Sequence, residues 1–161
     1  MTVKVLFVCL GNICRSPTAE GLFKARLKAQ GLEDVVLTDS AGTAGWHVGK
    51  APDDRAIAAA AERGIDISSL RARQVTGADF TEFDYIVAMD DANLVDLNSF
   101  RPNDFAGRCC LYLDFAANTA EHEVPDPYYG GAEGFAHVLD LVEQAATGLL
   151  EDIQKRHLAR G

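Results

Sequence analysis

The chain has 161 residues, 48% of them hydrophobic and 24% charged, with a formal net charge of −9. That length suits one domain whose core needs no staples, and the charge argues against nucleic acid or an anionic membrane as a partner. Any anion site must therefore generate its own local positive field.

No apolar run is long enough to cross a bilayer. The first residues, MTVKVLFVCLGN, carry only Lys4 as a charged side chain. They lack a basic leader and a small-residue cleavage signal, so a strand is expected there and not a signal peptide. Four cysteines, Cys9, Cys14, Cys109 and Cys110, do not suggest a secreted disulfide scaffold in a chain this long. A cytoplasmic location is expected.

Residues 3–8 are apolar apart from Lys4 and rich in valine, the pattern of a strand buried on both faces. A helix should follow, with Ser16 as N-cap, Pro17 in its first turn and Glu20 close behind. Ala19, Leu22, Phe23 and Leu27 form its apolar stripe, and Gly31 closes it. A second strand is expected over about 35–39. After the loop GWHVGKAP, Pro52-Asp53-Asp54 opens a helix that runs through Arg63 and stops at Gly64. DYIVAMD (84–90) reads as a third strand leading into a helix at DANLVDLNSF, and CCLYL (109–113) as a fourth. A long loop then leads to a last helix, where Phe135, Val138, Leu139, Val142, Ala146, Leu149, Leu150 and Ile153 keep helical spacing. Strands alternating with helices predict an α/β domain with a parallel sheet and right-handed crossovers. The loops around 42–52 and 114–134 are long enough to carry function.

The turn after the first strand holds Cys9, Leu10, Gly11, Asn12, Ile13, Cys14, Arg15 and Ser16. It lies at the carboxyl end of a parallel strand, where open α/β sheets bind ligands. Its amides, with a helix N-terminus, form an anion nest. Gly11 and Asn12 tolerate the positive φ that such a loop needs. A thiol at the base of that nest is favoured as thiolate, and Arg15 adds a full charge and a planar fork for two phosphate oxygens. Singly, Cys9 also reads as a small core residue and Arg15 as a solvent-facing one. Together, in a strand–turn–helix context, they point to a phosphoryl group held in line above a nucleophilic sulfur. The nucleotide-binding pattern G-x(4)-G-K-[ST] and the dinucleotide pattern G-x-G-x-x-G are both absent. Asp126, between two prolines, reads first as a turn residue, and a phosphatase would need such a carboxylic acid for its leaving group. Tyr128 and Tyr129 alone read as packing residues, whereas Trp46 sits on a polar loop where burial is difficult. His47, His122, His137 and His157 show no metal spacing and are expected to be non-catalytic.

VCLGNICRSPTAEG resembles the low-molecular-weight protein tyrosine phosphatases, fitting their C-x(5)-R-S signature from Cys9 to Ser16. DSAGT (39–43), GIDISSLRARQ (64–74), FDYIVAMD (83–90) and VPDPYYGG (124–131) match family segments in family order, so the likeness spans nearly the whole chain. It implies a flavodoxin-like three-layer α/β/α sandwich with four parallel strands in the order 2-1-3-4. It implies Cys9 as nucleophile, Arg15 as transition-state clamp and Asp126 as general acid. Leu10, Gly11, Asn12, Ile13, Cys14 and Ser16 would form the phosphate-binding loop, with Ser40 supporting it. Trp46, Tyr128 and Tyr129 would wall the substrate cleft. The expected partners are a phosphotyrosine-containing protein and inorganic phosphate, with no cofactor or metal; a monomer is expected.

Two other activities share this fold. Thioredoxin-coupled arsenate reduction needs further cysteines after the third strand, where this chain has AMDDANLVDLN with Met89. Phosphoarginine hydrolysis goes with Thr where this chain has Ile13, and an apolar wall there suits an aromatic ester better. A non-catalytic phosphopeptide-binding module fits poorly with the presence of both Cys9 and Asp126. Cys14 reads either as a redox partner for oxidised Cys9 or as a buried small residue. Leu70 is a departure: family members of bacterial type often carry His before RARQ, so a weaker loop-supporting network is expected.

Overall fold

A computed structural model of the chain describes residues 2–158. Four parallel strands, β1 (Val3–Cys9), β2 (Val36–Gly42), β3 (Tyr85–Ala88) and β4 (Arg108–Leu111), form one sheet in the order β2-β1-β3-β4. Among the described residues the α-helices are α1 (Arg15–Ala29), α2 (Asp54–Glu62), α3 (Asp79–Glu82), α4 (Asp91–Ser99) and α5 (Ala132–Ile153). The sandwich and strand order agree with expectation. No described helix is long and apolar enough to cross a membrane.

β1 is the centre of this arrangement because both of its faces are apolar. Val3, Val5, Phe7 and Cys9 point into the core shared with α1 and α5. Leu6 and Val8 point into a second core with Phe80 and Leu97, on the side of α3 and α4. Burying each such large side chain is worth about 1.5–3 kcal/mol, so the two-sided sequence of β1 forces helices onto both faces. Phe7 packs edge-on against Phe23 at 5.7 Å and Tyr112 at 5.2 Å between ring centres. All eight apolar positions assigned to the last helix are buried.

α1 and α2 stop by the same device. Gly31 (φ 69°) follows α1, and the N–H of Leu32 reaches the Leu27 carbonyl at 2.9 Å. Gly64 (φ 77°) follows α2, and the N–H of Ile65 reaches Ala60 at 3.0 Å. Only a residue without Cβ takes that left-handed turn cheaply.

Three strand boundaries and one helix differ from the sequence reading. β2 continues to Gly42, because parallel pairing carries it alongside β1 until Gly42 lies opposite Cys9. β3 ends at Ala88, because Asp90 leaves the ladder to cap α4 through the Asn93 N–H at 2.8 Å. β4 ends at Leu111, and Tyr112–Phe115 turn into a single 3-10 turn that puts Tyr112 against Phe7. α3 was not expected; Asp79 anchors it by accepting the Thr76 N–H at 2.8 Å and ion-pairing Arg73 at 3.0 Å.

Candidate active site

The carboxyl end of β1 opens onto a cleft of about 180 Å³. Cys9 closes β1 at its base and is almost wholly buried. The next residues turn tightly into α1, with Asn12 in the left-handed region at φ 60°. Asn tolerates this because its side chain bonds locally. Its Nδ2 donates to Ser16 Oγ at 2.7 Å and to Ser40 Oγ at 3.0 Å, while its Oδ1 accepts the Arg73 N–H at 3.0 Å. One side chain thus ties the loop to α1, β2 and the segment after α2.

The loop is also stitched from outside. The N–H groups of Thr43, Ala44 and Asp53 take the carbonyls of Cys9, Leu10 and Ile13 at 2.8–2.9 Å. With its carbonyls turned to neighbours, the loop keeps donors in reserve. The N–H groups of Gly11, Asn12, Ile13 and Cys14 have no partner among the described residues. Of these residues, Gly11, Ile13 and Cys14 line the cleft, as does Leu10.

Ser16 is not the N-cap of α1. The helix starts at Arg15 with Cys14 as cap, and no side chain caps it. The Ser16 hydroxyl lies 3.0 Å from Cys9 Sγ, and its backbone N–H donates to the same sulfur at 3.5 Å. A hydroxyl already committed to the sulfur and Asn12 cannot also cap the helix.

Arg15 is only 2% exposed. Its Nη1 donates to Asp90 Oδ2 at 2.6 Å and to the Val124 carbonyl at 3.1 Å; its Nη2 lies 3.7 Å from Asp126 Oδ2. Burial opposes its charge, but the Cys9 sulfur, Asp90 and Asp126 outweigh that and raise its pKa above the ordinary guanidinium value. Asp126 is partly exposed at the cleft wall, and its Oδ1 accepts the Tyr128 N–H at 3.1 Å. Trp46, Tyr128 and Tyr129 complete the wall; Trp46 and Tyr129 are largely open to solvent, at 70% and 94%, and Tyr128 is 38% exposed.

All residues expected at the cleft are therefore gathered there or directly behind it. Sequence reasoning missed Asp90, Val124, Arg73, Gly42 and His47. Asp90 left a trace as an Asp preceding a helix, which reads only as a cap. Val124 acts through its carbonyl, which no side-chain pattern signals. Gly42 gives the loop its room: a Cβ there would lie 2.7 Å from the Leu10 carbonyl oxygen. His47 lines the cleft, its ring against Gly11.

Cys14, within the loop, is buried, and burial, then Asp53, Cys9 and Asp126, push its thiol up to about 12. Leu70 is apolar and packs on the cluster of Cys14, Ala56, Ala60, Ile67 and Phe135, adding nothing polar to the loop network. Among the described residues, one trio could share a metal: Asp91, His122 and Glu123, whose ligand atoms lie within 4.8 Å of one another. None of the three lines the cleft, and Asp91 and His122 are exposed.

A free-amide loop joining a buried sulfur to a buried guanidinium, with a carboxylate at the rim, is a design for a tetrahedral oxyanion. The family model for low molecular weight phosphotyrosine protein phosphatases matches residues 4–159. A low molecular weight protein-tyrosine-phosphatase of Streptomyces coelicolor is 42% identical over 159 residues, covering 97% of this chain and 96% of that one. The crystal structure of a protein tyrosine phosphatase from Entamoeba histolytica, with Hepes in its active site, superposes with a TM-score of 0.92 at 40% identity, covering 96% of this chain and 98% of that chain. A Drosophila arginine phosphatase superposes with a TM-score of 0.87 at 30% identity over 94% of this chain and 98% of its own. By sequence along nearly its whole length, and by fold, the chain belongs to the low molecular weight protein tyrosine phosphatase family.

Proposed function

We propose that this enzyme hydrolyses phosphotyrosine in protein substrates through a phosphocysteine intermediate, with Cys9, Arg15 and Asp126 as its catalytic residues. One observation carries the reading: the Cys9 sulfur, the Arg15 guanidinium and the Asp126 carboxylate open onto one cleft, with Arg15 and Asp126 3.7 Å apart.

The phosphate dianion settles against the free loop amides and Arg15. Cys9 Sγ attacks phosphorus in line as the ester P–O bond breaks, giving phosphocysteine. Asp126 delivers its proton to the departing phenolate. The resulting carboxylate then takes a proton from water as that water attacks phosphorus, the P–S bond breaks and Cys9 leaves as thiolate. The transition state is loose, with charge on the equatorial oxygens, where Arg15 and the amides already point positive charge. Asn12, Ser16 and Ser40 hold the loop's shape and so act as positioning residues.

The aromatic side chains of Trp46, Tyr128 and Tyr129 match an aryl ester, and Ile13 gives the loop an apolar side at the cleft. Both favour phosphotyrosine over phosphoarginine. The segment from the end of β3, AMDDANLVDLN, has no cysteine to relay a disulfide in arsenate reduction. Four free cysteines suit a reducing compartment, so the enzyme is assigned to the cytoplasm.

Steady-state turnover of phosphotyrosine, phosphoserine and phosphoarginine peptides tests this directly. The wild type should prefer phosphotyrosine, and Cys9→Ser should lose turnover while still binding inorganic phosphate. Full activity in Cys9→Ser, or a preference for phosphoarginine, overturns the proposal.

A further inference from the structure

Two segments that hold Arg15 also bring together three metal-ligating side chains outside the cleft. Asp91 is the first residue of α4, and His122 and Glu123 lie on the long loop that leads to Asp126. Their neighbours in sequence, Asp90 and Val124, accept from Arg15 Nη1 at 2.6 and 3.1 Å. One ligand atom from each of Asp91, His122 and Glu123 lies within 4.8 Å of the other two.

The donor set and its spacing fit zinc. An imidazole beside carboxylates suits Zn2+ and related transition ions, whereas Ca2+ and Mg2+ take oxygen ligands. His122 Nε2 and Asp91 Oδ2 are 3.3 Å apart. A charged hydrogen bond closes to about 2.7–2.9 Å, but two ligands on one tetrahedral zinc, with bonds of about 2.0–2.2 Å, stand about 3.4 Å apart. Glu123 is oriented by its Oε2, which accepts the Asp91 N–H at 2.7 Å. Among the described residues no lysine or arginine pairs with Asp91 or Glu123, so neither carboxylate has spent its charge on a side-chain cation. Asp91 and His122 are exposed, so both side chains rotate freely enough to close on an ion.

We propose that Asp91, His122 and Glu123 bind one divalent transition ion of the zinc class, with water completing its coordination. The ion fastens the loop that leads to Asp126 onto α4. No cysteine takes part, so the site is independent of the Cys9 loop.

The test titrates Zn2+ alone into the full-length chain by calorimetry and follows the histidine rings by NMR. Cys9→Ser serves as the background, because it removes a thiolate that would compete for zinc. The His122 ring signals should shift as the ion binds, and amide exchange over residues 119–123 should slow several-fold. Adding His122→Ala or Glu123→Gln should weaken that binding by about tenfold or more, since loss of even an outer partner of a metal ligand costs about 10–100-fold. Glutamine keeps an oxygen for the Asp91 N–H, so its effect reports the ligand and not the fold. Absence of binding at millimolar Zn2+, binding that survives both trio variants, or an unshifted His122 ring overturns the site. Amide exchange left unchanged by bound Zn2+ overturns the fastening.

Discussion

Arg15 Nη1 lies 2.6 Å from Asp90 Oδ2, and this pair joins the first residue of α1 to the cap of α4. The same carboxylate uses its other oxygen to cap α4 at 2.8 Å. Asp90→Asn separates the two roles, because asparagine caps as well as aspartate but carries no charge. The melting temperature should stay within about 3 °C of wild type. Turnover should fall about tenfold or more, and inhibition by phosphate should weaken, because the guanidinium loses the anion that orients it. Unchanged kinetics would show that the Val124 carbonyl alone positions Arg15.

Asp126→Ala separates acid catalysis from binding. Proton donation matters most when the leaving group is a poor one. The loss in kcat/KM, which reports the step that expels the phenol, should be about 10²-fold or more with phosphotyrosine and much smaller with p-nitrophenyl phosphate, whose phenolate leaves unaided. Equal losses in kcat/KM on both substrates would make Asp126 a binding residue and not the acid.

Gly42→Ala probes the room behind the loop. The new methyl would lie 2.7 Å from the Leu10 carbonyl oxygen and 3.1 Å from the Gly11 carbonyl carbon, so backbone must move. The displaced atoms are those that present the loop amides. Activity should fall by about 10²-fold, the scale of a 1 Å misplacement, with a fall in stability of about 1–3 kcal/mol. Kinetics and urea denaturation on the same preparation check both values.

Cys14 carries a pH signature. Its thiol is pushed from an ordinary 9.0 up to about 12, mainly by burial, so the folded protein holds that proton longer than the unfolded chain does. Stability from this site is complete below pH 9 and is lost progressively as pH rises toward 12. Urea denaturation from pH 8 to 10.5 should show a shallower decline in Cys14→Ser than in wild type, since serine does not titrate there. At pH 7 a haloacetamide should label Cys9 well before Cys14, with mass spectrometry reading the site. The same protonated state makes a Cys9–Cys14 disulfide slow to form after peroxide treatment at neutral pH and faster as pH rises.

Much of this molecule is legible in one dimension. The two-faced apolar run of β1, the glycines after α1 and α2, and the stripe of α5 are local patterns, because burial and helix termination depend on neighbours a few residues away. Cys9 to Ser16 is legible for the same reason: its chemistry is written in eight consecutive residues. Ser16 is the instructive exception. Its place before Pro17 reads as a cap, yet the sulfur seven residues earlier claims its hydroxyl once the loop closes.

Composition and local pattern alone thus determined an acidic α/β chain with a Cys–Arg anion loop at the end of its first strand. Tertiary structure decided what that loop leans on. Asp90, Arg73, Gly42 and the Val124 carbonyl reach it across 33 to 109 residues of chain, brought there by parallel pairing and crossover helices. Such contacts leave no periodic trace, because a carbonyl or a missing Cβ acts through position alone.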